Sequence, residues 1–201
     1  MQQEQLEITV QGKMQLVPVY WVHSLVLGSG AAGLNAAIQL KRQGIDDVVI
    51  VSEGLDQGTS INTGSDKQTY YKLSLCGDEP DSQHAMASDY FAGGAMHGDL
   101  ALVEASLSVR AFMNLVNLGL PFPHDQFGQY VGYKTDHDPK QRATSIGPYT
   151  SREMCRALIG EVKRLKIPVH EQRTAIKLLC LEQDEKKTIL RVGCAECRRR
   201  V

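Results

Sequence analysis

Two hundred and one residues suffice for one ordinary domain or two small ones, and such a chain can bury roughly 70% of its unfolded surface. With 42% hydrophobic and 22% charged residues the composition is globular, which excludes wholesale disorder. Twenty-two basic against 23 acidic side chains leave a net charge of −1, without the basic excess of a nucleic-acid binder.

The N-terminal residues, Met1-Gln2-Gln3-Glu4-Gln5-Leu6-Glu7, lack the basic flank and apolar core of a signal peptide, and no apolar run reaches bilayer length. The expectation is a cytoplasmic protein with no direct membrane insertion. In that setting the five cysteines, an odd number, are expected to be reduced.

Residues 1–20 open the chain with alternating apolar and polar residues on either side of Gly12, the pattern of a β-hairpin, with Pro18 confining its second arm to an edge. A short apolar run, Trp21 to Leu27, leads directly into Gly28-Ser29-Gly30-Ala31-Ala32-Gly33. A helix over 31–43 follows, closed by Gly44, and then a strand at Asp47–Val51. Strand, glycine turn, helix and strand in this order make a βαβ unit, so the fold class is α/β with a mostly parallel, Rossmann-like sheet. Residues 54–83 read as a long functional loop. A helix begins at Asp99 with Leu102, Val103, Ser106, Leu107, Val109, Phe112, Met113 and Val116 at approximately helical spacing, and stops at Gly119 and Pro121. Residues 121–149 return to loop chemistry. Thr150-Ser151-Arg152-Glu153 is a capping box for a helix to about Leu165, and 168–170, 174–181 and 188–192 read as strands. The domain plan is a hairpin at 1–20, one nucleotide-binding domain over 21–192, and a tail at 193–201.

The glycine turn carries the chemistry. Gly28 permits the tight turn, Gly30 lets backbone N–H groups approach a pyrophosphate, and Gly33 allows close packing of helix on strand. The N–H groups of Ser29, Ala31 and Ala32 and the helix N-terminus favour phosphate. Ser52 and Glu53 close the second strand, and the Glu53 carboxylate is placed to accept hydrogen bonds from a ribose hydroxyl while repelling a 2′-phosphate. After it comes a hydroxyl-rich stretch holding Gly58, Thr59, Ser60, Asn62, Thr63, Gly64 and Ser65. It suits a flavin dinucleotide better than a nicotinamide one.

Four segments, Val26–Ala37, Gly58–Lys72, Gly119-Leu120-Pro121-Phe122-Pro123 and Arg142–Met154, resemble the flavoprotein subunit of the succinate dehydrogenase and fumarate reductase family. The resemblance implies FAD as cofactor, the glycine turn with Ser52 and Glu53 as its pyrophosphate and ribose contacts, and residues 58–65 running past the flavin. It also implies adenine held by backbone at Ala175, and Phe122 lining a dicarboxylate site. From the residues themselves, Phe122 equally reads as an apolar staple at a helix end. Some family members attach FAD through a histidine in the loop after the second strand; none occurs between His23 and His84, so FAD is expected to bind noncovalently. His97 and His137 read as turn or cap residues, and Cys194-Ala195-Glu196-Cys197 as an inert tail without the second ligand pair of a zinc site.

The family's proton-donor arginine, substrate-binding histidine and arginines belong to a capping domain that this sequence does not contain, and no catalytic or metal-binding residue is assigned. The resemblance fades near Val192. The expectation is an N-terminal portion, truncated or frameshifted, that self-associates and does not reduce a dicarboxylate by itself. Its function is then the FAD-binding part of a hydride-transferring oxidoreductase, with a dicarboxylate substrate and an electron-transfer subunit as partners. The alternative is a non-catalytic nucleotide-binding fragment, or a subunit completed by another chain.

Overall fold

The computed structural model describes residues 2–65, 68–136, 138–183 and 186–196. The chain divides into two units, 1–62 with 158–201 and 63–157.

In the first unit, β1 (Gln2–Val10) and β2 (Lys13–Trp21) form an antiparallel hairpin with Val10 opposite Lys13. Gln11 and Gly12 both take positive φ, 50° and 76°, the conformation whose twist suits a two-residue hairpin loop. β3 (Ser24–Leu27), β4 (Val48–Val51) and β8 (Val169–His170) form a parallel sheet in the order β3-β4-β8. Helix α1 (Ala31–Arg42) makes the crossover between β3 and β4. The fold class read from the sequence is therefore present: an α/β core with a βαβ unit and an antiparallel hairpin before it. Leu34, Ala37 and Ile38 of α1 and Val48 and Ile50 of β4 are at most 1% exposed and form the core of this unit. Full burial of each of the Leu, Ile and Val side chains among them is worth about 1.5–3 kcal/mol. Gly44, at φ 89°, ends α1, with Ile45 N–H reaching back to Leu40 O at 3.1 Å. The last two strands, β9 (Arg173–Gln183) and β10 (Lys186–Glu196), form a second hairpin.

A short helix, α2 (Thr59–Asn62), ends the opening stretch of the first unit, and the second unit runs from Thr63 to Ala157. β5 (Tyr70–Tyr71), β7 (Asp138–Thr144) and β6 (Tyr133–Thr135) form an antiparallel sheet in that order. α3 (Gln83–Ala92) packs on α4 (Gly98–Asn117). α5 (Thr150–Arg164) contributes residues to both units.

Several sequence readings change. α4 starts at Gly98 with His97 as its N-cap, and it buries Ala101, Ala105, Ser108, Phe112 and Leu115. Of the expected apolar positions, Phe112 is buried, whereas Leu102, Val103 and Leu107 are 38–54% exposed. Small residues line the contact because α3 approaches there, placing Met86 and Leu73 in one cluster with Ala105. α3 lies where no helix was expected, capped by Ser82, whose Oγ accepts from Ala85 N at 3.1 Å. The 150–153 box does not form: Glu153 pairs with Arg156, and Thr150 Oγ1 accepts from Ile146 N and donates to Gly147 O. β10 continues past 192 to Glu196, so Cys194 lies in a strand opposite Ala175. His137 and Cys197, with the arginines after it, lie outside the described residues. Among the described residues no helix is long and apolar enough to cross a membrane, and no cluster of His, Cys, Asp and Glu could hold a metal ion.

Candidate functional site

The glycine turn sits between β3 and α1 and is fixed by its neighbours. Gly28 takes φ 97°, where an L side chain is strained, and its N–H donates to Val51 O at 2.8 Å. Gly33 faces back on the turn: a Cβ there would lie 2.3 Å from Gly28 O. Gly30 is the N-cap of α1 and offers no side-chain cap. The first turn of α1 contains no acidic residue to compete with a bound anion. Ser60 Oγ approaches Ala31 N at 3.4 Å, and a Cβ on Gly30 would stand 3.3 Å from that hydroxyl.

Ser29 and Ser52 are buried, 3% and 8% exposed, and their hydroxyls lie 2.7 Å apart. Ser29 also donates to Gly54 O at 2.8 Å. Their side chains are therefore used to tie the glycine turn to the chain leaving β4, and what they offer a ligand is backbone. Glu53 is exposed at the end of β4, and its carboxylate accepts a hydrogen bond from the Thr174 hydroxyl at 2.9 Å. Thr174 had no signal in the sequence beyond its hydroxyl next to Ala175. Asn62 turns its amide inward to Asp56 O and Gly58 O, closing the loop before it. Ala175 is exposed in β9.

The structure thus brings together Gly28 through Gly33, Ser52, Glu53, Gly58, Ser60 and Thr174 in the first unit. Residues 63–65 belong to the second, where Ser65 N–H donates to Pro148 O at 3.0 Å and a Cβ on Gly64 would meet the Tyr149 ring at 2.8 Å. Phe122 also lies in the second unit. It is 2% exposed, with its ring 4.8 Å from that of Phe112 and 5.7 Å from that of Tyr70. This is the apolar staple at the end of α4; the ring also borders a groove lined by Leu120, His124 and Tyr130.

A helix N-terminus whose N-cap residue has no side chain, a glycine turn before it, and a carboxylate just after the next strand suit the pyrophosphate and ribose of an ADP group. Residues 23–198 match the FAD binding domain family. The chain belongs to that family. The match extends beyond Val192, where the resemblance was expected to fade. No curated protein matches the sequence significantly.

Solved structures share the fold of this FAD-binding domain at low identity. One is the Mycobacterium smegmatis Sdh1 complex in the apo form, with TM-score 0.70 and 20% identity over 83% of this chain and 30% of that one. Another is a variant of E. coli quinol fumarate reductase, with TM-score 0.68 and 16% identity over 83% of this chain and 28% of that one. A third is a 3-ketosteroid-Δ4-(5α)-dehydrogenase from Rhodococcus jostii, with TM-score 0.61 and 17% identity over 89% of this chain and 44% of that one. The FAD-binding domain described here therefore spans less than a third of the first two chains and less than half of the third.

Proposed function

We propose that this domain holds FAD noncovalently as the cofactor-binding part of a flavoprotein oxidoreductase of the fumarate reductase and succinate dehydrogenase type. The observation that carries the reading is the β3–glycine turn–α1–β4 unit with Glu53 at its end. In it, the N–H groups at the start of α1 hold the pyrophosphate, Glu53 accepts from the adenosine ribose, and Ala175 backs the adenine. Ser29 and Ser52 keep the turn in place. Bound flavin supplies the hydride chemistry, exchanged with a dicarboxylate-like substrate, and an electron-transfer subunit is the expected partner. The absence of histidine between His23 and His84 supports noncovalent attachment.

Titration of the purified chain with FAD, followed by flavin fluorescence, tests cofactor binding; saturation at one FAD per chain is expected. Acid precipitation should release the yellow colour into the supernatant, and colour in the pellet would contradict noncovalent attachment.

A further inference from the structure

We infer that Thr174 is a positioning residue for the adenosine ribose, acting through Glu53. The inference rests on the FAD reading above and extends it to a residue that touches no ligand. Glu53 stands exposed at a strand end, where a free glutamate would sample several rotamers. Here three bonds bring the start of β9 against it. Gln172 N–H donates to Glu53 O at 3.2 Å, Arg173 N–H donates to Ser52 O at 3.1 Å, and Leu55 N–H donates to the Glu171 carboxylate at 2.9 Å. Gln172 takes φ 55°, which turns the chain from β8 into β9 at this point.

That turn sets the Thr174 hydroxyl 2.9 Å from Glu53 Oε1. A hydroxyl has a single proton to give, and here it goes to the carboxylate. Among the described residues Thr174 is the one side chain hydrogen-bonded to this carboxylate. The bond holds the Glu53 rotamer and occupies one oxygen, leaving the remaining lone pairs for ribose hydroxyls. Thr174 therefore acts by pre-organisation: it removes rotamer entropy before the ligand arrives.

The test measures binding of ADP and of its 2′,3′-dideoxy analogue by isothermal titration to the full chain and its variants. Glu53→Gln should weaken ADP markedly and leave the dideoxy analogue unchanged. Thr174→Val, which keeps the shape and loses the hydroxyl, should weaken ADP by roughly threefold to tenfold, in line with one modest hydrogen bond. It should not affect the dideoxy analogue, should add less than about twofold in the Glu53→Gln background, and Thr174→Ser should restore binding. Thr174→Ala provides the same readout if the valine variant does not fold, judged by circular dichroism. Weakened binding in Glu53→Gln with wild-type binding in Thr174→Val would overturn the role of Thr174 and keep the ribose contact. Equal losses for ADP and the dideoxy analogue in Thr174→Val would make the residue merely structural and also overturn it. Unchanged ADP binding in Glu53→Gln would remove the ribose reading itself.

Discussion

The guanidinium of Arg142, fully buried, meets the buried carboxylate of Asp81 through two parallel hydrogen bonds, Nε to Oδ2 at 2.8 Å and Nη2 to Oδ1 at 2.6 Å. Nη1 continues to Asp89 at 2.6 Å and Asp138 at 3.4 Å, so one cation joins β7 to the loop before α3 and to α3 itself. Burial pushes the Asp81 carboxyl up, but Arg142 and the N–H groups of Ser74 and Ser82 outweigh it and hold the group below the usual carboxylate range.

Removing the cation leaves buried acids without a counter-charge, the costly half of a broken buried pair. Arg142→Met is expected to destabilise the second unit by about 3–5 kcal/mol. Hydrogen exchange in the peptides covering 70–73, 83–92 and 138–144 is the measurement. Unchanged protection in all three would show that the cluster contributes little.

This cluster also explains what the sequence concealed. β7 reads Asp138-Pro139-Lys140-Gln141-Arg142-Ala143-Thr144, a polar string without the alternation of a half-buried strand. Arg142 and Thr144 are buried in it, and the Asp81 and Asp89 carboxylates that Arg142 meets lie 61 and 53 residues away. The same holds for α4, whose small inward residues, Ala101, Ala105 and Ser108, carry little hydrophobic signal beside the exposed Leu102, Val103 and Leu107. The βαβ unit was legible because its signals are local: an apolar strand, three glycines at fixed spacing, then a helix closed by Gly44. Glu53 was found by its spacing from the turn, whereas Thr174 is brought to it by a turn 121 residues along the chain.

Acid should act on the first unit through Glu161. Two hydrogen bonds from Arg164, opposed by burial and reinforced by Arg42, lower its carboxyl from the usual 4.5 to about 2. A depressed carboxyl stabilises the folded state fully above its unfolded value, and that contribution disappears as pH falls from about 4.5 toward 2. Glu161→Gln is therefore expected to cost roughly 1–3 kcal/mol at neutral pH and to lie closer to the wild type as the solution is acidified. Urea denaturation at a series of pH values checks the convergence. A constant gap down to the lowest pH would assign the loss to packing.

Thr144 predicts a gain. Its side chain is 2% exposed, and Oγ1 has no hydrogen-bond partner among the described residues. A buried hydroxyl in that condition carries an uncompensated desolvation cost of about 1–3 kcal/mol. Thr144→Val keeps the branched shape suited to a strand and removes the polar atom. Its melting temperature should equal or exceed that of the wild type. A clear loss of stability would show that the hydroxyl has a partner in solution.

The second and third glycines of the turn should fail in different ways. A methyl group at position 33 would lie 2.3 Å from the carbonyl oxygen of Gly28, a backbone atom that moves only if β3 and α1 separate. Gly33→Ala is thus expected to lose folding of the βαβ unit, seen as lost exchange protection over 31–42, and FAD binding with it. At position 30 the backbone is extended, with φ −72° and ψ 174°, and any residue adopts it. The nearest obstacle is the Ser60 hydroxyl at 3.3 Å, the end of a side chain and not a backbone atom. Gly30→Val should therefore keep the circular dichroism of the wild type while its side chain covers the N–H groups at the start of α1, which the pyrophosphate needs. Loss of FAD affinity by 100-fold or more is expected, about 3 kcal/mol from the phosphate contacts alone. A folded Gly30→Val chain that binds FAD as tightly as the wild type would place the pyrophosphate elsewhere.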